Sequence, residues 1–209
     1  MKNNIEINAQ SSIKIIGDEK VFYIDPYLIN KDINDADYIF ITHEHYDHLS
    51  DEDIKKVIKE DTIIIVPESC YEKVLELGYP NEIVKVKPNS KYSVEDLTFA
   101  TIKAYNTNKL YHPESNNWVG YLIDIDNKKY FITGDTDINK ENKQVKCDFL
   151  LIPIGGVYTM NYEEAALLTN IIKPIVAIPT HYKTIVGSEE DAKKYIELLD
   201  KDIESKILY

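Results

Sequence analysis

The chain has 209 residues, enough for a sizeable core, and its 44% hydrophobic content excludes a disordered polymer. It carries 24 basic against 36 acidic residues for a net charge of −12, and every basic residue is Lys. Such a surface repels phosphate backbones and lacks the guanidinium forks that read bases, so no nucleic acid is expected as a partner. No apolar run approaches the ~20 residues of a membrane span, and the start, Met1-Lys2-Asn3-Asn4, has no apolar signal region. Cys70 and Cys147 lie far apart in sequence and form no paired framework. A cytoplasmic protein is expected, with no membrane partner.

In chain order, β-branched and aromatic runs predict strands over residues 12–16, 21–24 and 38–42. A helix over 50–59 follows, with Ser50 as N-cap, Asp53 three residues on, and an apolar stripe of Ile54, Val57 and Ile58. Next come a strand over 62–66 and a helix over 71–77 that stops at Gly78 with Pro80 beyond. Strands are then predicted over 83–86, 97–104, 118–125 and 129–133, with Asp126-Asn127 as a hairpin turn between the last two. After a strand over 149–153, a helix over 161–172 opens on the capping pair Asn161 and Glu164 and ends before Pro174. A strand over 175–179 and a helix over 188–199, whose acidic first turn suits the helix dipole, precede a final strand over 206–209. Strands lead in each half with helices interspersed. That predicts an α+β fold, a four-layer αβ/βα sandwich of two packed mixed β-sheets with helices outside, as a single domain over 1–209.

The chemistry is concentrated in histidine. Of five histidines, three lie in Thr42-His43-Glu44-His45-Tyr46-Asp47-His48, between a strand and a helix. In an extended backbone residues i and i+2 point the same way, so His43 and His45 can grip one metal. Asp47 and His48, at the turn into the helix, point elsewhere and can reach a second. Imidazoles and carboxylates suit Zn2+, Mn2+ or Fe2+. Asp135, in Gly134-Asp135-Thr136-Asp137, and His181, in Thr180-His181-Tyr182-Lys183, also follow strands, and each can deliver a further ligand.

These motifs resemble the metallo-β-lactamase-fold hydrolases, and more narrowly the small bacterial group similar to L-ascorbate-6-phosphate lactonase. The marks are Ile24-Asp25-Pro26, His43-Glu44-His45-Tyr46-Asp47-His48, Gly134-Asp135-Thr136, Pro153-Ile154-Gly155-Gly156 with Thr159-Met160, and Pro179-Thr180-His181-Tyr182, in that order along almost the whole chain. The resemblance implies a sandwich with two divalent ions at one edge. It implies that His43 and His45 bind the first ion, that Asp47, His48 and His181 bind the second, and that Asp135 bridges them. Asp25 would accept a hydrogen bond that orients a ligand imidazole. Related chains carry one more first-metal histidine after a strand, where this one reads Ala104-Tyr105-Asn106-Thr107-Asn108. Three readings remain: His112 replaces it from a shifted loop, Asn106 supplies a weaker oxygen ligand, or the first ion is held loosely. His112 is favoured because imidazole is the better ligand.

The expected chemistry is hydrolysis of a small ester, lactone or phosphodiester, with Asp47 as the catalytic acid–base group. Two ions, zinc first and manganese or iron as alternatives, would activate the water. Asn106, Tyr158, Thr159, Tyr182 and Lys183 are candidates to touch a small-molecule substrate, and Lys183 could meet a phosphate or carboxylate. A nuclease of the same fold and a non-catalytic metal-binding or regulatory module are the alternatives. Homo-oligomers are compatible with all three.

Overall fold

The computed structural model describes residues 4–209. The chain divides into two compact units, one of residues up to Lys87 together with Tyr209, the other Pro88–Leu208. The first is built on six strands: β1 (Asn4–Ile7), β2 (Ile13–Ile16), β3 (Val21–Ile24), β4 (Ala36–Phe40), β5 (Ile58–Pro67) and β6 (Ile83–Val86). They lie side by side in sequence order. β1, β2 and β3 pair antiparallel, whereas β3 through β6 pair parallel. Parallel neighbours need crossovers, and two short helices, α1 (Asp51–Val57) and α2 (Tyr71–Glu76), lie in those after β4 and β5. The central parallel strands read as unbroken apolar runs, with Tyr38 to Ile41 and Ile63 to Val66 all buried.

The second unit repeats the plan. Its sheet runs in sequence order through β7 (Lys91–Val94), β8 (Leu97–Lys103), β9 (Val119–Ile125), β10 (Lys128–Ile132), β11 (Phe149–Pro153), β12 (Val176–Thr180) and β13 (Glu204–Ser205). The β7 to β10 pairs are antiparallel and the β10 to β13 pairs parallel. Helices α3 (Tyr162–Ile172) and α4 (Glu189–Glu197) make the last two crossovers. Each unit is thus a mixed sheet with helices in its crossovers, which is the α+β composition expected from the sequence. Among the described residues no helix is long and apolar enough to cross a membrane.

Several boundaries differ from expectation. The first helix ends at Val57, because Ile58 turns extended and pairs with Ala36 of β4. Strand pairing there outcompetes the helical stripe. The strand expected over 206–209 is not formed; the last strand is Glu204–Ser205, beside Val176 and Ala177 of β12. Two edge strands, β1 and β7, were not anticipated. Asn4, Glu6, Lys91 and Ser93 are weak strand formers, and these segments are fixed by pairing with β2 and β8. The Asp126-Asn127 hairpin is present, with both residues at positive φ as a two-residue turn of this kind requires. Asn161 and Glu164 form the full capping box of α3.

Asp53 acts beyond its helix. Its carboxylate takes the Ser50 hydroxyl at 2.7 Å, the Ile29 amide at 2.8 Å and the Leu28 amide at 3.0 Å. It thereby ties the long β3–β4 connection to the first turn of α1. Burial raises this carboxyl, but hydrogen bonds from Ser50, Ile29, Lys56 and Leu28 outweigh it and hold it below its ordinary value of 3.8. The stabilisation is therefore present above that value and lost as pH falls through the depressed one. Asp53→Ala leaves two amides unmatched, so urea denaturation at pH 7 should find it less stable by about 2 kcal/mol. The gap to the parent should close in acid below pH 3.8. A gap independent of pH would refute the carboxylate's role.

Candidate metal centre

In the first unit the histidine loop leaves the carboxyl end of β4. It turns from His45 onward, into the helix: the His48 and Leu49 amides return to the His45 carbonyl at 3.0 and 2.8 Å. His43 and His45 still meet, with His43 Nε2 and His45 Nδ1 3.0 Å apart. That is close to the about 3.3 Å separating two nitrogens on one tetrahedral ion with bonds of 2.0–2.1 Å. Asp47 is nearly buried, its Oδ2 3.7 Å from His48 Nε2.

Asp25, at the end of β3, organises this loop. Its carboxylate is fully buried and takes the Thr42 amide at 2.8 Å, the Thr42 hydroxyl at 2.6 Å and His48 Nδ1 at 2.7 Å. Burial pushes the carboxyl up, opposed by His48 and Thr42. These contacts decide where protons sit. Asp25 fixes the Nδ1–H of His48, so Nε2 keeps its lone pair. The Thr42 hydroxyl spends its proton on Asp25, so its oxygen accepts from His43 Nδ1 at 3.0 Å. His43 Nε2 then also keeps its lone pair. A neutral imidazole that donates through one nitrogen and offers the other is the metal-ready form.

The second unit contains an analogous device. His112 Nδ1 lies 3.0 Å from Asn106 Oδ1 and 3.2 Å from the Tyr158 carbonyl, both acceptors, so Nε2 again carries the lone pair. Asn106 Oδ1 also takes the His112 amide at 2.9 Å, and Asn106 Nδ2 donates to the Tyr158 carbonyl at 2.9 Å. Asn106 is therefore engaged in orienting His112. Asp135 Oδ2 stands between two imidazoles, 3.3 Å from His112 Nε2 and 3.1 Å from His181 Nε2. All three side chains are buried. The donors in both units, imidazole nitrogens and carboxylate oxygens, fit a borderline divalent cation such as zinc.

Local backbone supports these positions. Asp25 and His181, each just past a parallel strand, have φ of 48° and 54°. Asp and His are among the non-glycine residues that tolerate this region, and such residues cluster at functional sites. Gly155 makes room for His181. A Cβ at residue 155 would lie 2.5 Å from the His181 carbonyl oxygen and 3.3 Å from its Nδ1.

The other candidates are distributed differently. Tyr182 and Thr159 are fully buried, and Lys183 forms an exposed ion pair with Glu189 at 2.6 Å. Tyr158 contributes its carbonyl to His112 and its ring, edge-on, to Tyr111 at 4.6 Å. Trp118 is buried with its ring 5.6 Å from that of His112. Burial pushes the Cys70 and Cys147 thiols up to about 12, so neither is a nucleophile at neutral pH. Sequence reasoning missed Thr42, which reads as an ordinary strand end. Only its placement between Asp25 and His43 reveals its function.

A family model for a beta-lactamase superfamily domain matches residues 4–181. The chain belongs to this superfamily. A UPF0173 metal-dependent hydrolase from Methanosphaera stadtmanae is 30% identical over 98% of this chain and 92% of its own length. A crystal structure from Parabacteroides distasonis matches at TM-score 0.82 and 29% identity, covering 97% of this chain and 91% of that one. The metallo-β-lactamase fold protein YhfI from Bacillus subtilis matches at TM-score 0.73 and 13% identity over 96% and 89% of the two chains, a likeness of fold. This superfamily member has the metallo-β-lactamase fold and is a metal-dependent hydrolase.

Two variants test the local geometry. Thr42→Val removes the hydroxyl between Asp25 and His43, and equilibrium dialysis should find metal affinity reduced by about 10–100-fold. An unchanged affinity would show that the hydroxyl does not set the imidazole. Gly155→Ala should lower thermal stability by about 1–3 kcal/mol, because the new methyl meets fixed backbone. An unshifted melting temperature would mean that the His181 turn yields freely.

Proposed function

We propose that the chain uses two divalent ions, zinc foremost and manganese or iron as alternatives, to hydrolyse a small ester, lactone or phosphodiester. In this reading His43, His45 and His112 hold the first ion, Asp47, His48 and His181 hold the second, and Asp135 is shared. The observation that carries it is the proton placement described above. His43, His48 and His112 each commit Nδ1 to a fixed acceptor and offer Nε2. Any buried imidazole needs an acceptor for its N–H; what favours a ligand role is that each Nε2 faces another potential ligand atom, His45 Nδ1, Asp47 Oδ2 or Asp135 Oδ2.

Two divalent ions, when bound, lower the pKa of water toward neutrality and draw charge from a carbonyl or phosphoryl oxygen. The residues do the rest. Asp25 and Asn106 hold the imidazoles in the offering tautomer. Asp47 takes the proton of the attacking water and returns one to the leaving group, as general base and then acid. The exclusively lysine basic complement and the charge of −12 favour a small substrate over a nucleic acid. A reducing cytoplasm suits the free Cys70 and Cys147.

Elemental analysis of the purified protein, with a turnover screen of lactones, carboxylic esters and phosphodiesters, tests this. Two ions per chain are expected, with turnover in one of these classes. Asp135→Ala should abolish turnover and reduce the metal content below that of the parent. One ion per chain and no turnover on any class would instead make the protein a metal-binding module.

A further inference from the structure

The loop that carries His112 in the second unit presents exposed apolar side chains. The segment 106–112 is closed on itself by the Asn106 amide on the His112 carbonyl at 2.7 Å and the His112 amide on Asn106 Oδ1 at 2.9 Å. It is pinned to Asp137 by the Thr107 amide at 2.9 Å and by Lys109 Nζ at 2.6 Å. On this fixed loop Leu110 is 93% exposed and Tyr111 is 49% exposed. The Tyr111 ring meets the Tyr158 ring edge-on, while the Tyr158 carbonyl accepts from His112 Nδ1. Val157, the residue before, is 51% exposed. Scattered exposed apolar residues are ordinary. Leu110 and Tyr111 are neighbours in the chain, as are Val157 and Tyr158; the two tyrosine rings join the pairs, and the Tyr158 carbonyl joins them to a proposed metal ligand.

Cations here are already engaged. Lys109 and Lys183, the lysines nearest in sequence to His112 and His181, lie 2.6 Å from Asp137 and from Glu189. The net charge of −12 repels anionic substrates further. In the first unit Tyr46, within the histidine loop, is 66% exposed and meets the Tyr27 ring edge-on.

We infer that the substrate carries an uncharged apolar body beside the bond that is cut, seated on Leu110, Tyr111, Val157 and the Tyr158 ring. This inference rests on the hydrolase reading above. It selects neutral alkyl or aryl esters and lactones over phosphorylated ones. Leu110 and Tyr111 are specificity residues; they take no part in moving protons.

The test uses the full, metal-loaded chain and p-nitrophenyl esters of straight-chain acids from acetate to octanoate. kcat/KM should rise about fourfold per methylene until the seat is filled, the increment for burying one methylene. The double variant Leu110→Ser, Tyr111→Ser should flatten that series through KM while keeping the parent's metal content. Calorimetry gives a readout independent of turnover: 1-octanol should bind the parent more tightly than 1-butanol, by about fourfold per methylene, and the double variant should lose this difference. A flat ester series, a slope that survives the double substitution, or equal binding of the two alcohols would overturn the inference. So would light scattering that finds the parent dimeric and the double variant monomeric, since a second copy would then occupy the patch. Absence of turnover on every ester, with octanol binding intact and lost in the variant, would sink the hydrolase reading and leave the apolar seat standing.

Discussion

The buried carboxylate of Asp25 is the constraint from which the histidine loop takes its form. A charge taken out of water is costly, and here the cost is met by three donors from only two residues, Thr42 and His48. Each donor spent on Asp25 fixes something else. The Thr42 amide fixes the start of the loop, the Thr42 hydroxyl fixes the His43 proton, and His48 Nδ1 fixes the His48 proton. A water-exposed carboxylate could not do this, because solvent would compete for every bond. Burial and the positive φ of Asp25 are therefore parts of one arrangement, in which a strained and desolvated residue predetermines the state of two imidazoles.

The second unit reaches a similar end by neutral means. Asn106 and the Tyr158 carbonyl do for His112 what Asp25 does for His48, without a buried charge. An amide oxygen holds the tautomer but raises the basicity of the ring less than a carboxylate does. The charged member of that unit is Asp135, close to both His112 and His181. The topology explains where these residues emerge. In each sheet the strand at the switch from antiparallel to parallel pairing, β3 or β10, leads into an aspartate, and a later parallel strand leads into a histidine, His43 after β4 and His181 after β12; His112 instead comes from the connection between the antiparallel strands β8 and β9. Carboxyl ends of strands at such switch points are where α/β sheets commonly place binding groups.

Much of this was legible in the sequence. His43, His45, Asp47 and His48 announce themselves by spacing, and the strand-then-loop pattern marks Asp135 and His181. The capping box at Asn161 and the Asp126-Asn127 hairpin are local chemistry, so local sequence sufficed. What escaped notice depends on distant partners. The sequence leaves Thr42 unmarked and offers Asn106 as a ligand or substrate contact rather than as the partner of His112 Nδ1; both roles exist only through contacts that local sequence cannot reveal. The turn at Asp47 and His48 is expected from their place before the helix; that Asp25 holds the loop at both ends, through Thr42 and His48, is not. Strand β1 is a four-residue run in which Asn4 and Glu6 dilute the two isoleucines, and Ile58 has the periodicity of a helix; in both, pairing with neighbours in the sheet decides.

The Asp126-Asn127 turn has a practical consequence. It lies at the amino end of β10, whereas Asp135 follows the carboxyl end. The strand between them is 5 residues long, and at ~3.3 Å per residue it separates the turn from the ligand by roughly 17 Å. Both turn residues are exposed. A peptide tag, fluorophore or surface tether grafted there would sit at the opposite pole of the strand from the imidazoles. The second unit can thus be labelled at a point on its own backbone that lies well away from Asp135.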